Sequence, residues 1–342
     1  MPELPEVETV VRDLRPRIVG ATIVDATTFW GRTLRDITPE AFADGVAGRR
    51  IEAVGRRAKQ IVVDLSGGAF LTIHLKMTGQ LFVVPQGGHE DPYVRLVLPL
   101  EDGREIRFRD IRKFGKVGLY GAEGDPDPFA AIGPEPLADA FTLAVFRRRL
   151  RARKGRLKPL LLDQTFVAGV GNIYADEALW AARLHPLRTA RTLRPPDERR
   201  LWRELRRILA EAVVRRGSSI DDYTAPDGDG EMQDHLAVYQ RTGEPCLRCG
   251  RPIRRIVVGS RATHFCSFDQ RLPAVDRPGA RAILRTMTGG GPRRRGRRWT
   301  ELPGGEGSVG PARERSITNG RAERTRRAAA TRRAAARASV GG

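Results

Sequence analysis

The chain is 342 residues long, with 61 Lys+Arg against 41 Asp+Glu and a formal net charge of +20. Such a length implies two domains with an appendage, and 40% hydrophobic residues support packed cores, which excludes a wholly disordered chain. No apolar run approaches the roughly 18–20 residues of a membrane span. The acidic opening Met1-Pro-Glu-Leu-Pro-Glu lacks the basic start of a secretory signal, so neither insertion nor export is expected.

The charge is uneven: Thr286 to Gly342 holds 14 Arg against 4 Glu. The remainder is basic as well, which points to a polyanionic partner, nucleic acid. Arg outnumbers Lys 55 to 6, a bias that a GC-rich coding genome explains in part. Three cysteines, Cys246, Cys249 and Cys266, are too few for a disulfide scaffold. Their clustering suggests a metal in a reducing compartment.

Residues 2–18 predict a helix, with Val7, Val10, Val11 and Leu14 at helical spacing. From Ile23 to Tyr120 the pattern changes to short strands, among them Ile61–Leu65, Phe70–Leu75, Val94–Leu98 and Val117–Tyr120, separated by Gly, Asp and Pro turns. This reads as a β-sandwich. A Pro/Asp/Gly stretch then marks a linker, and helices are expected over Leu143–Arg151, Leu157–Gln164, Ile173–Arg183 and Asp197–Arg216. The turn Val167-Ala-Gly-Val-Gly-Asn172 opens onto a helix N-terminus, a place that can hold a phosphate; taken alone, an ordinary helix–turn–helix corner is the better explanation. Residues 217–235 read as a mobile polar loop, 243–272 carry the cysteines, and beyond Pro273 the periodicity is lost, which predicts disorder.

The start of the chain has a chemistry of its own. Methionine before proline is normally removed, which would free Pro2 as a secondary amine. An α-amino group has a pKa near 8 against about 10.4 for lysine, so it is more often neutral and nucleophilic. Attack on a sugar C1′ would give an iminium, an electron sink. Glu3 lies beside it as a general acid or base, with Glu6 close enough to orient the group. Alternatively, Pro and Glu simply open a helix whose positive end favours acids.

The stretch Met1-Pro-Glu-Leu-Pro-Glu-Val-Glu-Thr9 resembles the opening of the formamidopyrimidine-DNA glycosylases, enzymes of base-excision repair. Further blocks follow in the family's order: Arg56-Arg-Ala-Lys59, His74-Leu-Lys-Met-Thr-Gly79, Asp110-Ile-Arg-Lys-Phe-Gly115, Gly133-Pro-Glu-Pro-Leu137, Leu161-Leu-Asp-Gln164, Val167-Ala-Gly-Val-Gly-Asn-Ile-Tyr-Ala-Asp-Glu177 and the cysteine finger. The resemblance runs from residue 2 to about 273. It implies an α+β fold: an N-terminal β-sandwich domain (1–122), a linker (123–136), a helix–two-turn–helix domain with a lesion loop (137–235) and a zinc-finger-like β-hairpin (236–272). A disordered Arg-rich tail (273–342) has no family counterpart and would add salt-sensitive affinity for DNA, or be inert, or reflect a misplaced stop.

The resemblance also implies roles. Pro2 is the nucleophile, Glu3 the proton donor, and Lys59 the family's strand lysine that assists β-elimination. The damaged nucleotide must leave the stack to be reached, and Met77, Arg112 and Phe114 match the residues that fill the gap, two apolar wedges and a guanidinium for the widowed cytosine. Asn172 matches a phosphate ligand, while Lys158 and Lys154 match basic residues contacting the DNA or the lesion. Arg261, on the finger hairpin, matches the arginine that grips the phosphate and helps δ-elimination.

Three positions depart from the pattern. The fourth zinc position is Asp269 rather than cysteine. Carboxylate oxygen can ligate zinc, so a softened Cys246/Cys249/Cys266/Asp269 site is expected, with His264 the weaker substitute. Tyr93 stands where the family commonly has His at a DNA contact, and Asp221 stands in the lesion loop where a basic residue is common. The expected protein is therefore a monomeric, cytoplasmic bacterial glycosylase/lyase acting on duplex DNA that carries an oxidised purine, with one structural zinc. An endonuclease VIII-like enzyme for oxidised pyrimidines and a non-catalytic damaged-DNA binder are the alternatives.

Overall fold

Proline has no amide proton to waste at a helix start, and an acid there faces the positive end of the backbone dipole. Helix α1 (Leu4–Ile18) begins in this way with Pro5 and Glu6, and buries Leu4, Val7, Val10, Val11, Leu14 and Ile18. The computed structural model describes residues 1–88, 91–121, 125–219 and 230–289. Asp221 and the Arg-rich residues from 290 onward lie outside the described residues.

The apolar side of α1 packs on two antiparallel four-stranded sheets that share one core with it. One sheet contains β2 (Ile51–Arg57), β3 (Gln60–Leu65), β4 (Phe70–His74) and β8 (Lys116–Tyr120), in that spatial order. The other has the order β1 (Thr27–Thr28), β6 (Val94–Pro99), β7 (Arg104–Asp110), β5 (Gly79–Pro85). A short helix α2 (Pro39–Val46), capped by the Thr38 hydroxyl accepting from the Ala41 amide at 3.2 Å, covers one side. Inward residues Val54, Ile61, Val63, Leu71 and Ile73 of the first sheet meet Leu81, Leu96, Leu98, Ile106 and Phe108 of the second, the alternation a sandwich requires. The strands β2 and β7 are not obvious in the sequence, because they carry several Arg and Glu residues.

The strand register matters for function. Gln60 pairs with His74, His74 with Lys116, and Gly79 with Asp110. Three connections therefore lie at one end of the sandwich: the β2–β3 turn, and the β4–β5 and β7–β8 crossovers between the sheets.

A second core is built by α3 (Leu143–Arg151), α4 (Leu157–Leu162), α5 (Asn172–Ala181) and α6 (Pro195–Val214). α5 and α6 stop about two residues earlier than their periodicity suggests. Arg183 and Arg216 adopt φ of +54° and +59°, and the following amides, Leu184 and Gly217, reach back to Leu179 O and Ala212 O at 2.9 and 2.7 Å, closing each helix with a left-handed turn. Among the described residues no helix is long and apolar enough to cross a membrane.

The third unit is the hairpin β9 (Arg254–Val258) and β10 (Arg261–Phe265). Its two-residue turn, Gly259-Ser260, has positive φ at both positions (53° and 61°), which matches the twist of the strands. The expectation that order ends at Pro273 is corrected here. Short 3-10 turns at Ala274–Asp276 and Pro278–Ala280 lead into α7 (Arg281–Leu284), and Thr288 bonds Arg255 through both backbone groups. Ala280, Ile283 and Leu284 pack on Ile256, Val258 and Phe265, and the Asp276 carboxylate accepts from the Thr189 and Thr192 hydroxyls, both at 2.9 Å. This segment shows no sustained periodicity because Ala280, Ile283 and Leu284 occupy one face of a single helical turn. Ala280→Glu, at a position 0% exposed, is expected to cost about 3–5 kcal/mol by burying an unpaired charge. Val275→Glu, at a position 71% exposed, is expected to change stability by less than about 0.5 kcal/mol. Urea denaturation of the two variants checks the pair.

Candidate active site

A helix N-terminus leaves amide protons without partners, and at α5 an internal carboxylate takes them. Glu3 Oε2 accepts from the Gly171 amide at 2.6 Å and Oε1 from the Ile173 amide at 2.8 Å. The glycines of Val167-Ala-Gly-Val-Gly-Asn172 follow from this. A Cβ on Gly171 would lie 2.4 Å from Glu3 Cδ, and one on Gly169, whose φ is +77°, would lie 2.7 Å from Leu4 Cβ. Gly169 O also accepts the Leu4 amide at 2.9 Å. The anion expected at this terminus is thus the chain's own Glu3.

Glu6 continues the arrangement. Its Oε2 accepts the Glu3 amide at 2.8 Å, and its Oε1 accepts the Tyr174 hydroxyl at 2.5 Å and the Ser218 amide at 2.8 Å. Residues 2 to 6 are thereby tied to both α5 and the start of the loop after α6, with Pro2 buried beneath a half-exposed Met1. Burial holds the Glu3 carboxyl above the usual carboxylate range; Lys59 opposes this and Glu6 adds to it.

Lys59 is placed by a turn rather than a strand, which corrects the expectation drawn from the resemblance. Arg57 pairs with Gln60, leaving Ala58-Lys59 as a two-residue turn with Ala58 at φ +54°. Such a backbone costs on the order of 1–3 kcal/mol and needs support. Glu135 supplies it: Oε1 accepts from the Ala58 amide at 2.6 Å and Arg57 Nη1 at 2.9 Å, and Arg56 Nη2 lies 2.8 Å from Oε2. Burial would raise the Glu135 carboxyl, but the Arg56 and Arg57 guanidiniums and the Ala58 amide outweigh it and hold it below the usual range. Burial pulls the Lys59 ammonium below the ordinary lysine range, against the pull of Glu3 and Glu6.

Pro2, Glu3, Glu6 and Lys59 line one cleft of about 260 Å³ together with Met77, Asn172, Ser218, Tyr239 and Arg261. Asn172 Nδ2 donates to Ala262 O at 3.0 Å, tying α5 to the finger hairpin beside Arg261, while its buried Oδ1 has no hydrogen-bond partner among the described residues. The two crossovers form a second group. The Asp110 carboxylate accepts from the Thr78 hydroxyl, from the Arg112 amide at 3.2 Å and from the Gly115 amide at 2.7 Å. The guanidinium of Arg112 lies 5.2 Å from the Phe114 ring centroid, and Phe114 is exposed.

Several expected contacts lie elsewhere. Lys158 is fully buried, its Nζ 2.7 Å from Asp176 Oδ1 and donating to Asn172 O at 2.8 Å; it braces α5 from inside. Asp176 Oδ2 accepts the His264 amide at 2.9 Å, so His264 is engaged there and not with the thiols. Lys154 is exposed in the α3–α4 turn and outside the cleft. Tyr93 is exposed on the sandwich, its ring beneath the Arg109 guanidinium at 5.0 Å. The Sγ atoms of Cys246, Cys249 and Cys266 lie within 4.8 Å of one another, which suits zinc–sulfur bonds of about 2.3 Å. The Asp269 carboxylate, expected as the fourth ligand, instead pairs with Arg248. Sequence reasoning missed Ser218, Tyr239 and the clamp Glu135. The available signal was charge inside apolar or proline-rich blocks, as in Gly133-Pro-Glu-Pro-Leu137 and Ile173-Tyr-Ala-Asp-Glu177.

Two outcomes are expected. Asp176→Ala leaves the Lys158 ammonium buried without a counter-charge and costs about 3–5 kcal/mol, whereas Lys158→Met with Asp176→Leu costs far less; urea denaturation separates them. Because the folded state raises the Glu3 pKa, its contribution to stability is complete below the unfolded carboxylate value and is lost as pH rises through the folded value. The stability of the native chain relative to Glu3→Gln therefore falls from acid toward neutral pH. The fall is about 1.4 kcal/mol for every tenfold by which folding tightens the carboxyl's hold on its proton, as pH-dependent denaturation would read.

In comparison with known proteins, residues 1–117 match the formamidopyrimidine-DNA glycosylase N-terminal domain and residues 132–224 the formamidopyrimidine-DNA glycosylase H2TH domain. Residues 243–270 match the zinc finger found in FPG and IleRS. A formamidopyrimidine-DNA glycosylase of Chloroflexus aggregans is 49% identical over 274 residues, 80% of this chain and 99% of the relative. The solved MutM (FPG) protein of Thermus thermophilus is 44% identical with a TM-score of 0.71, covering 79% of this chain and 98% of that one. The wild-type Lactococcus lactis Fpg, in complex with N7-benzyl-Fapy-dG containing DNA, is 36% identical with a TM-score of 0.75, covering 79% of this chain and 100% of that one. The chain belongs to the formamidopyrimidine-DNA glycosylase family.

Proposed function

We propose that this chain excises oxidised purines from duplex DNA and then cuts the strand at the abasic sugar, acting as a monomer in the bacterial cytoplasm. The observation that carries this reading is the convergence of Pro2, Glu3, Lys59, Asn172 and Arg261 on one cleft. Substrate class and DNA partner rest on the family and on the relatives crystallised with damaged DNA.

The first requirement is removal of Met1, which otherwise blocks the Pro2 nitrogen in a peptide bond. The freed secondary amine, whose lone pair is available near neutral pH, attacks C1′. The N–C1′ bond forms as the bond from C1′ to the base breaks, the base leaving with its bonding pair and taking up a proton. The amine then gives up its own proton, and its lone pair expels O4′, which is protonated as the sugar ring opens to an iminium. Glu3 holds a proton for the reacting sugar, because burial disfavours its charged form. Lys59, whose ammonium is destabilised by burial, suits proton removal from C2′, after which the 3′-phosphate leaves. Arg261 approaches from the opposite wall and balances the charge of the phosphates that leave. Met77, Arg112 and Phe114 enter the space the flipped nucleotide vacates. Cys246, Cys249 and Cys266 would hold the finger's metal, which when bound would serve as a structural cross-link for the hairpin that presents Arg261.

Borohydride trapping on a duplex with one 8-oxoguanine opposite cytosine tests the proposal. A covalent adduct is expected from chain whose intact mass shows Met1 removed, and none from chain that retains Met1. Lys59→Met is expected to trap but to cut the strand at least about 10²-fold more slowly, within the range of general acid–base contributions. Trapping that is equal with and without Met1 would refute the Pro2 mechanism.

A further inference from the structure

The position of the missing fourth cysteine has a definite occupant. Asp269 follows Cys266 by three residues, yet it turns its carboxylate away from the thiols. Oδ2 pairs with Arg248 Nη1, Oδ1 lies 3.7 Å from Arg183 Nε, and it is the Asp269 amide that faces the cluster, 3.4 Å from Cys266 Sγ.

Arg248 is equally committed. It sits between Cys246 and Cys249 and donates to Trp180 O at 2.8 Å and Ala181 O at 3.2 Å, with its guanidinium 3.7 Å from the Trp180 ring centroid. Those carbonyls belong to the last turn of α5, where a cation is favoured. The candidate substitute His264 is held on Asp176. Among the described residues, the cluster of ligating side chains consists of the three thiols.

We propose that this finger is an open metal site of three thiolates, whose fourth position is left to solvent or to a small added thiol. The Arg248–Asp269 ion pair does the mechanical work of the missing protein ligand. A fourth cysteine would tie residue 269 to the metal; here residue 269 is tied through Arg248 to the end of α5, and the finger stays docked. Zinc sites with three protein ligands keep an exchangeable position, whereas four-ligand structural sites are closed. The ion acquires that property here without any loss of the finger's attachment.

The test uses the full-length chain, stripped of metal and reloaded with Co(II), with visible absorption as the readout and 2-mercaptoethanol as the added thiol. The native chain and Asp269→Ala are expected to give the same Co(II) spectrum, and mercaptoethanol is expected to shift both toward the four-thiolate form. Asp269→Cys is expected to show the four-thiolate form at once and to ignore the added thiol. Asp269→Ala is also expected to lower the thermal midpoint by about 2–4 °C, the effect of losing one modest interaction in a chain of this size, with its Co(II) spectrum intact. Should Asp269→Ala not fold, Asp269→Asn, which keeps an oxygen for Arg248, takes its place. A spectrum altered by either variant, a tenfold loss of Co(II) affinity in either, a native spectrum indifferent to mercaptoethanol, or failure to take up Co(II) would each overturn the proposal.

Discussion

The carboxylate of Glu3 at the head of α5 is the constraint on which the rest of this structure depends. It joins the first residues of the chain to a helix about 170 positions later, and so fastens the sandwich to the helical unit at the point where the chemistry is placed. The same contact accounts for the glycines of the 167–172 turn, and it opposes the burial that raises the Glu3 carboxyl. An acid at a helix N-terminus is normally stabilised in its charged form. Here burial wins over that dipole and over the nearby Lys59, the balance expected of a group that must hold a proton to use it.

Other interior acids follow the same logic. Glu6, Glu135, Asp176 and Glu177 each satisfy several donors from distant segments; Glu177 alone accepts the amides of Ala237, Val238 and Tyr239 at 2.8–2.9 Å. Their carboxylates are engaged in holding the three units together, and among the described residues exposed positions are left to arginines such as Arg151, Arg183, Arg194 and Arg203. A basic surface of this kind binds a phosphate backbone without regard to base sequence. The acids inside leave specificity to the cleft.

The legible and illegible parts of the sequence divide along physical lines. Helices with one apolar stripe, such as α1 and α6, and strands with apolar cores, such as β3 and β4, announce themselves through period. The residues that line the cleft were readable because their order and spacing form a recognisable set. The burial of Lys158 was not, because a lysine in a run of arginines is ordinarily solvated and only the packing of α4 on α5 reveals its partner Asp176. The direction of the Asp269 carboxylate was not either, because position in sequence does not give direction; Arg248, on the other cysteine turn of the finger, pairs with it. Residues 273–289 looked structureless because a single helical turn, with Ala280, Ile283 and Leu284 on one face, is too short to set up a period.

The bond between Asp110 and Thr78 joins the two crossovers that carry Met77 and the Arg112–Phe114 segment. These loops leave different sheets and are about thirty residues apart in the chain, yet a single carboxylate makes them one body. Met77, Arg112 and Phe114 are therefore carried on loops assembled in advance, and the entropy of arranging those loops is lost when the protein folds, not when it meets DNA. A probe of this form can interrogate successive base pairs at little cost per encounter, a property that suits a search for rare sites along a long polymer.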